Sequence, residues 1–230
     1  MQIHFVISTL VIGLLGCQDA KEKKPALDTQ KQKVSYSIGL DIGRNCKQGE
    51  IDIDLAALVQ GIKDAISDST PMLTDAQVRE TMQQFQQEMI TKQSEKSNMV
   101  AEKNKKEGEA FLAENAKKEG VVTLPSGLQY KIIQQGSGRK PKLTDEVTTH
   151  YRGTLLDGTE FDSSYKRGEP TSFPVNGVIS GWTEALQLMP VGSKWQLFIP
   201  SNLAYGMRGA GGTIGPNAAL IFDIELIAIK

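Results

Sequence analysis

No proline occurs between residues 74 and 120, and this gap constrains the fold more than any other feature of the 230-residue chain. Proline inside a helix removes a hydrogen bond and collides with the preceding turn. A long stretch without it, rich in Lys, Glu, Gln and Ala, reads as one helix, about 70 Å long at 1.5 Å per residue. Thr74-Asp-Ala-Gln77 fits a capping box at its start. Val78, Met82, Phe85 and Met89 follow at helical spacing. Over residues 91–109 only Met99, Val100 and Ala101 are apolar, so this part is expected to stand in solvent as a rod. Gly108, which costs about 1 kcal/mol relative to Ala in a helix, is a candidate bend.

Composition differs on the two sides of that helix. After Gly120 lie 10 of the 14 aromatics, 14 of the 22 glycines and 7 of the 9 prolines, which makes this part compact, turn-rich and β-rich. Whole-chain totals exclude several functions. Lys plus Arg is 26 against 27 for Asp plus Glu, net −1, without the positive surplus that nucleic-acid binding uses. Two cysteines make no disulfide scaffold, and two histidines, His4 and His150, leave almost nothing for a zinc site.

The chain opens with an apolar run over residues 5–15, too short for a ~30 Å hydrocarbon core and of the length of a signal-peptide core. It ends in Leu14-Leu15-Gly16-Cys17 and is followed at once by polar residues. This resembles the bacterial lipobox and implies cleavage after Gly16 and acylation of Cys17; the alternative is an ordinary signal peptide with a coincidental Cys. Residues 17–33 form a polar tether. Next, Val34, Tyr36, Ile38, Leu40 and Ile42 alternate as in a strand, yet Val34, Ile38 and Ile42 also share one helix face, with Gly39 and Gly43 four apart. Asp54 caps a clearer helix carrying Leu55, Leu58, Val59, Ile62 and Ile66. Such short helices bury little surface alone, which favours a homodimer over a small monomeric helical domain. Cys46 is read as a buried free thiol rather than an intersubunit disulfide.

In the compact part, alternation marks strands at Val147 to Leu155, Lys194 to Ile199 and Ala219 to Ile229, with a hairpin turn at Asp157-Gly158. Ile179, Trp182, Ala185, Leu186 and Met189 fit one short amphipathic helix. One helix on an antiparallel sheet is an α+β domain. No HExxH, GxSxG, GxGxxG or Walker pattern is present, so neither a metal, a cofactor nor a covalent nucleophile has a seat. What stands out is a set of aromatics at element ends, Tyr151, Phe161, Trp182, Tyr205 and Phe222, with Asp162 beside one of them. Such a set can line an apolar pocket for a small group.

The runs VTTHYRGTLLDGTEFDSS, VISGW, VGSKWQLFIP, LAYG and LIFDIELI, in that order and spacing, resemble the FK506-binding (FKBP) family of peptidyl-prolyl isomerases over residues 124–230. The helical first half is similar to the dimeric Mip-type subgroup of bacterial envelopes. The resemblance implies an FKBP fold after an all-α dimerisation domain and a long connecting helix, with residues 34–43 helical. The segments are then 1–16 signal peptide, 17–33 tether, 34–73 dimerisation domain, 74–119 connecting helix and 120–230 isomerase domain. It implies Trp182 as the floor under a prolyl ring, Tyr151, Phe161, Val178, Ile179 and Phe222 as walls, and Asp162 and Tyr205 as polar contacts. Ile214 lies in an overhanging loop. A wall position often aromatic in the family is Thr171 here, with Phe173 two residues on. Implied partners are proline-containing unfolded or extended chains, a second copy, a membrane through the lipid anchor, and macrolides of the FK506 and rapamycin class. The implied location is the bacterial envelope, at the outer membrane. The rivals are an FKBP-fold chaperone without catalysis and a surface binding lipoprotein; the intact aromatic set favours the isomerase.

Overall fold

A computed structural model describes residues 26–67 and 69–230. The expected signal segment and Cys17 lie outside the described residues. The chain divides into two compact units, Met1–Thr74 and Asp75–Lys230.

In the first unit, α1 (Gln30–Gln48) begins at a capping box: the Thr29 hydroxyl accepts from the Gln32 N–H, and the Gln32 side chain accepts from the Thr29 N–H at 2.9 Å. The strand-like alternation after Val34 is therefore helical. The cap and the four-residue recurrence of Val34, Ile38 and Ile42 outweigh a period-two pattern that has no partner strand to pair with. In α2 (Leu55–Ile66), Asp54 caps as expected, accepting from the N–H groups of Ala56 and Ala57. Neither helix buries a residue, and Val34, Ile38, Val59 and Ile62 are 43–57% exposed. Cys46 is a partly buried free thiol.

The second unit opens with α3 (Asp75–Asn115), unbroken over 41 residues. Its last turns are not a free rod. Ser97, Ala101, Asn104, Gly108, Phe111 and Asn115 are buried or half-buried, at spacings of four, three, four, three and four, with Leu112 half-buried beside them. This stripe docks on the following sheet. Phe111 meets Phe198 with ring centroids 5.9 Å apart. The Asn115 amide donates to the Gln129 side chain, which in turn donates to the Leu112 carbonyl, both at 2.9 Å. Gly108 is no bend: it lets the helix approach so closely that a Cβ there would sit 3.1 Å from that of Ala219. The stripe escapes a hydropathy reading because it is built from small and amide side chains rather than large apolar ones.

An antiparallel seven-stranded sheet follows. Its strands are β1 (Val121–Thr123), β2 (Gln129–Gln134), β3 (Glu146–Leu155), β4 (Glu160–Ser163), β5 (Thr171–Pro174), β6 (Lys194–Ile199) and β7 (Leu220–Ile229). The order is β1-β2-β6-β7-β3-β4, with β5 paired to β3. One-turn α4 (Ser164–Arg167) follows β4, and α5 (Ser180–Leu186) precedes β6. In β7, Phe222, Ile224 and Leu226 are buried while Asp223 and Glu225 on the other face are not, as the alternation predicts. The core lies between α5 and the sheet and is built on Leu186, Met189, Leu197, Ile199, Leu220 and Ile224.

Candidate active site

Trp182 lies in the first turns of α5 and is 4% exposed. Tyr151 of β3, Phe173 of β5 and Phe222 of β7 each meet its indole edge-on, at centroid distances of 5.2, 5.8 and 5.2 Å. Phe161 of β4 joins through Phe222, at 5.5 Å and 80°. Edge-to-face geometry matches the positive rim of one ring to the negative face of the next and fixes each ring's tilt. Register explains the convergence: Gly153 pairs with Phe222 on one side and with Asp162 on the other. A Cβ at Gly153 would stand 2.5 Å from the Phe161 ring and 2.7 Å from the Phe222 ring, so the missing side chain is what allows these rings to meet.

A polar clamp closes one side. The Tyr151 hydroxyl donates to Asp162 at 2.6 Å. Arg167 donates to the same hydroxyl at 2.7 Å, to the Thr171 hydroxyl at 3.2 Å, and to Asp162 in an ion pair. Its guanidinium also lies over the Tyr151 ring, 5.4 Å from the centroid. Burial pushes the Asp162 carboxyl up, but hydrogen bonds from Tyr151 and Arg167 outweigh it and hold the group below the ordinary aspartate value. Burial, helped by Asp162, raises the Tyr151 phenol against the opposing pull of Arg167. Asp162 is thus an anion whose oxygens are already occupied, and a poor proton acceptor. It holds the Tyr151 hydroxyl by a hydrogen bond.

The structure therefore brings Tyr151, Phe161, Asp162, Phe173, Trp182 and Phe222 together. Ile214 belongs to the buried core that contains Tyr151, Trp182 and Phe222, and Val178 and Ile179 pack against that core. Tyr205 stands apart, 39% exposed, and no hydrogen bond or ring contact among the described residues ties it to the others. Arg167 was missed by sequence reasoning. Its signal is local: a cation five residues after Asp162, ending a one-turn helix that Ser163 caps and that Gly168 stops in the left-handed region at φ 80°. Thr171 sits where an aromatic wall was the family expectation and serves the clamp instead. Two clefts along α3, of about 410 and 340 Å³, contain none of these side chains.

The sequence model of the family described as FKBP-type peptidyl-prolyl cis-trans isomerase matches residues 137–227, and that of the domain amino-terminal to it matches residues 31–132. The chain is 49% identical to "Outer membrane protein MIP" of Legionella longbeachae, over 98% of this chain and 97% of that one. The chain belongs to the FKBP-type peptidyl-prolyl cis-trans isomerases. It is also 44% identical to "Peptidyl-prolyl cis-trans isomerase Mip" of Coxiella burnetii, over 99% of this chain and 98% of that one. The crystal structure of FkpA from Escherichia coli aligns with a TM-score of 0.73 at 40% identity, covering 89% of this chain and 99% of that one. The FKBP fold and the peptidyl-prolyl isomerase activity expected from the sequence runs are those of the family.

Proposed function

We propose that the ring cluster around Trp182 is the prolyl seat of this isomerase, and that it works by binding the twisted amide rather than by acid-base or covalent chemistry. Rotation about a prolyl peptide bond crosses a barrier of about 20 kcal/mol with no bond made or broken. The planar amide owes its stability to resonance, and the twisted state loses it along with part of its polarity. A dry aromatic seat favours that less polar state over the solvated planar one. In this reading Trp182 is the floor, and Tyr151, Phe161, Val178, Ile179 and Phe222 are walls, with Phe173 behind. Ile214 overhangs, Tyr205 closes on the substrate from the rim, and the Ile179 N–H meets a substrate carbonyl. The observation that supports this most is the edge-on convergence of three rings on one buried indole, beside a carboxylate already committed to Tyr151. An NMR exchange assay on a short Xaa-Pro peptide tests it. The full chain is expected to broaden the cis and trans resonances at catalytic concentration, with shifts centred on the Trp182 indole. Exchange at the uncatalysed rate with a folded protein would overturn the reading.

The protein is further proposed to be a lipid-anchored homodimer of the bacterial envelope that acts on unfolded exported chains. The Leu14-Leu15-Gly16-Cys17 site and a close relative named for the outer membrane support the location. The half-exposed apolar faces of α1 and α2 support a second copy as their cover, since a Cβ at Gly39 or Gly43 meets nothing within 4 Å in the single chain. Protein extracted from membranes is expected to give an acylated Cys17 peptide by mass spectrometry and twice the chain mass by light scattering. An unmodified N-terminal peptide, or a monomer at micromolar concentration, would refute the corresponding part.

A further inference from the structure

We infer that Asn104 on α3 is a positioning residue for the isomerase site, acting through the loop of residues 206–217. That loop folds back on itself. Ala210 and Ile214 exchange two backbone hydrogen bonds at 2.9 Å, and the Asn217 N–H donates to the Gly206 carbonyl at 2.8 Å. Gly209, at φ 61°, makes the closure possible, because a Cβ there would collide with the Ile214 carbonyl oxygen. Ile214, 8% exposed, belongs to the buried core that contains Tyr151, Trp182 and Phe222, and Ala210 of the loop packs against that core.

Such a loop is internally rigid but needs an outside anchor to fix where Ile214 stands. Among the described residues, one hydrogen bond ties residues 206–218 to the rest of the domain. In it the Asn104 side-chain amide donates to the Pro216 carbonyl at 2.8 Å. The adjacent Gly215 has no side chain to hold Asn104 off; a Cβ there would lie 3.1 Å from the Asn104 amide nitrogen and 3.5 Å from Val100. Beside this tether the loop's outer side is unsupported. A cleft of about 410 Å³ opens between Val100, Lys103 and Glu107 of α3 and Leu155, Asp157 and Thr213. α3 is thereby part of the apparatus that shapes the site, although none of its residues reaches the rings.

The proposal rests on the assignment of catalysis to the Trp182 cluster, and the test separates the two. In the full chain, Asn104→Ala and the same-shaped Asn104→Asp, which lacks the amide donor, are compared with wild type. Losing one neutral hydrogen bond of this kind shifts an equilibrium by about fivefold. KM for a short Xaa-Pro peptide is therefore expected to rise about fivefold with kcat within twofold. Amide resonances of residues 209–217 should move while those of β3 and β6 stay. Unchanged resonances in the loop would overturn the tether. Moved loop resonances with an unchanged KM would overturn the link between the loop and the site. An equal fall in kcat, with lost thermal stability and shifts across the sheet, would mean a merely structural role and also overturn it. A wild-type chain without activity would instead indict the assignment of the site. Asn104 lies on a half-exposed helix face, so Asn104→Asp is the variant that keeps the test open if Asn104→Ala folds poorly.

Discussion

Asp162→Ala is expected to lower kcat/KM on a short Xaa-Pro peptide by about 10- to 100-fold, the worth of one charge-assisted hydrogen bond at an active site. The domain should remain folded. The Asp162 side chain is 43% exposed, so its removal opens no cavity, and Arg167 keeps the Tyr151 and Thr171 hydroxyls as partners. What is lost is the acceptor that aims the Tyr151 phenol, and with it the tilt of one wall against Trp182. Tyr151→Phe removes the same bond from the other side, so the double variant should lose little more than the worse single one. Independent, multiplying losses would show that the two groups act separately. The pH dependence follows from the sign of the shift. The folded carboxyl lies below its ordinary value of 3.8, so its contribution is complete above that value and is lost only as pH falls through the lower, folded one. The rate should be flat through neutrality. A rate that fell between about pH 7 and 5 with a single titration in wild type, and lost that titration in Asp162→Asn, would assign a proton-transfer role instead.

A chain cut to residues 120–230 is expected to melt on the order of 10–20 °C below one cut to residues 97–230, although both contain every ring of the site. The shorter fragment loses the Phe111 ring from the face of Phe198, which is 6% exposed in the intact unit. It also loses the Asn115 and Leu112 partners of Gln129. Re-exposing much of an aromatic side chain costs about 1.5–3 kcal/mol, and each amide bond about 1 kcal/mol. A loss of about 3–5 kcal/mol is a large fraction of what holds a domain of this size together. Composition alone places the boundary near Gly120, where glycine, proline and aromatics become dense, but side-chain contacts cross that line. Thermal unfolding followed by tryptophan fluorescence measures the difference. Equal melting temperatures would show that the docked turns of α3 add nothing.

Strand alternation in β7 was legible because Phe222, Ile224 and Leu226 mark one face against Asp223 and Glu225 on the other. The capping positions Thr29 and Asp54 matter because they fix helix starts by a hydrogen bond that only a few residue types can make. The aromatic site residues emerged from family motifs, since each ring taken singly is indistinguishable from core. Two features were illegible for a common reason. The α3 stripe of Ser97, Ala101, Asn104 and Gly108 works by being small enough for close approach, and smallness leaves no mark in a hydropathy pattern. Arg167 acts through three acceptors that come together only after β3, β4 and β5 have paired. The helical state of residues 34–43 was ambiguous for a different reason: Val34, Ile38 and Ile42 fit both periods, and the capping box upstream decided between them.

The place of β7 in the sheet has a consequence for the timing of synthesis. β7 is hydrogen-bonded along its length to β3 on one side and β6 on the other, yet it is made after both. A growing chain that has not reached Leu220 holds two separate ladders, β1-β2-β6 and β4-β3-β5, with nothing to join them. Phe222, a wall of the ring cluster, arrives with the same segment. Because the pairing partners are far apart in sequence, closing the sheet is slow compared with forming α3, which needs only neighbours. The catalytic half of a nascent chain thus stays open until its last strand has been made, while the local contacts of α3 need not wait for it.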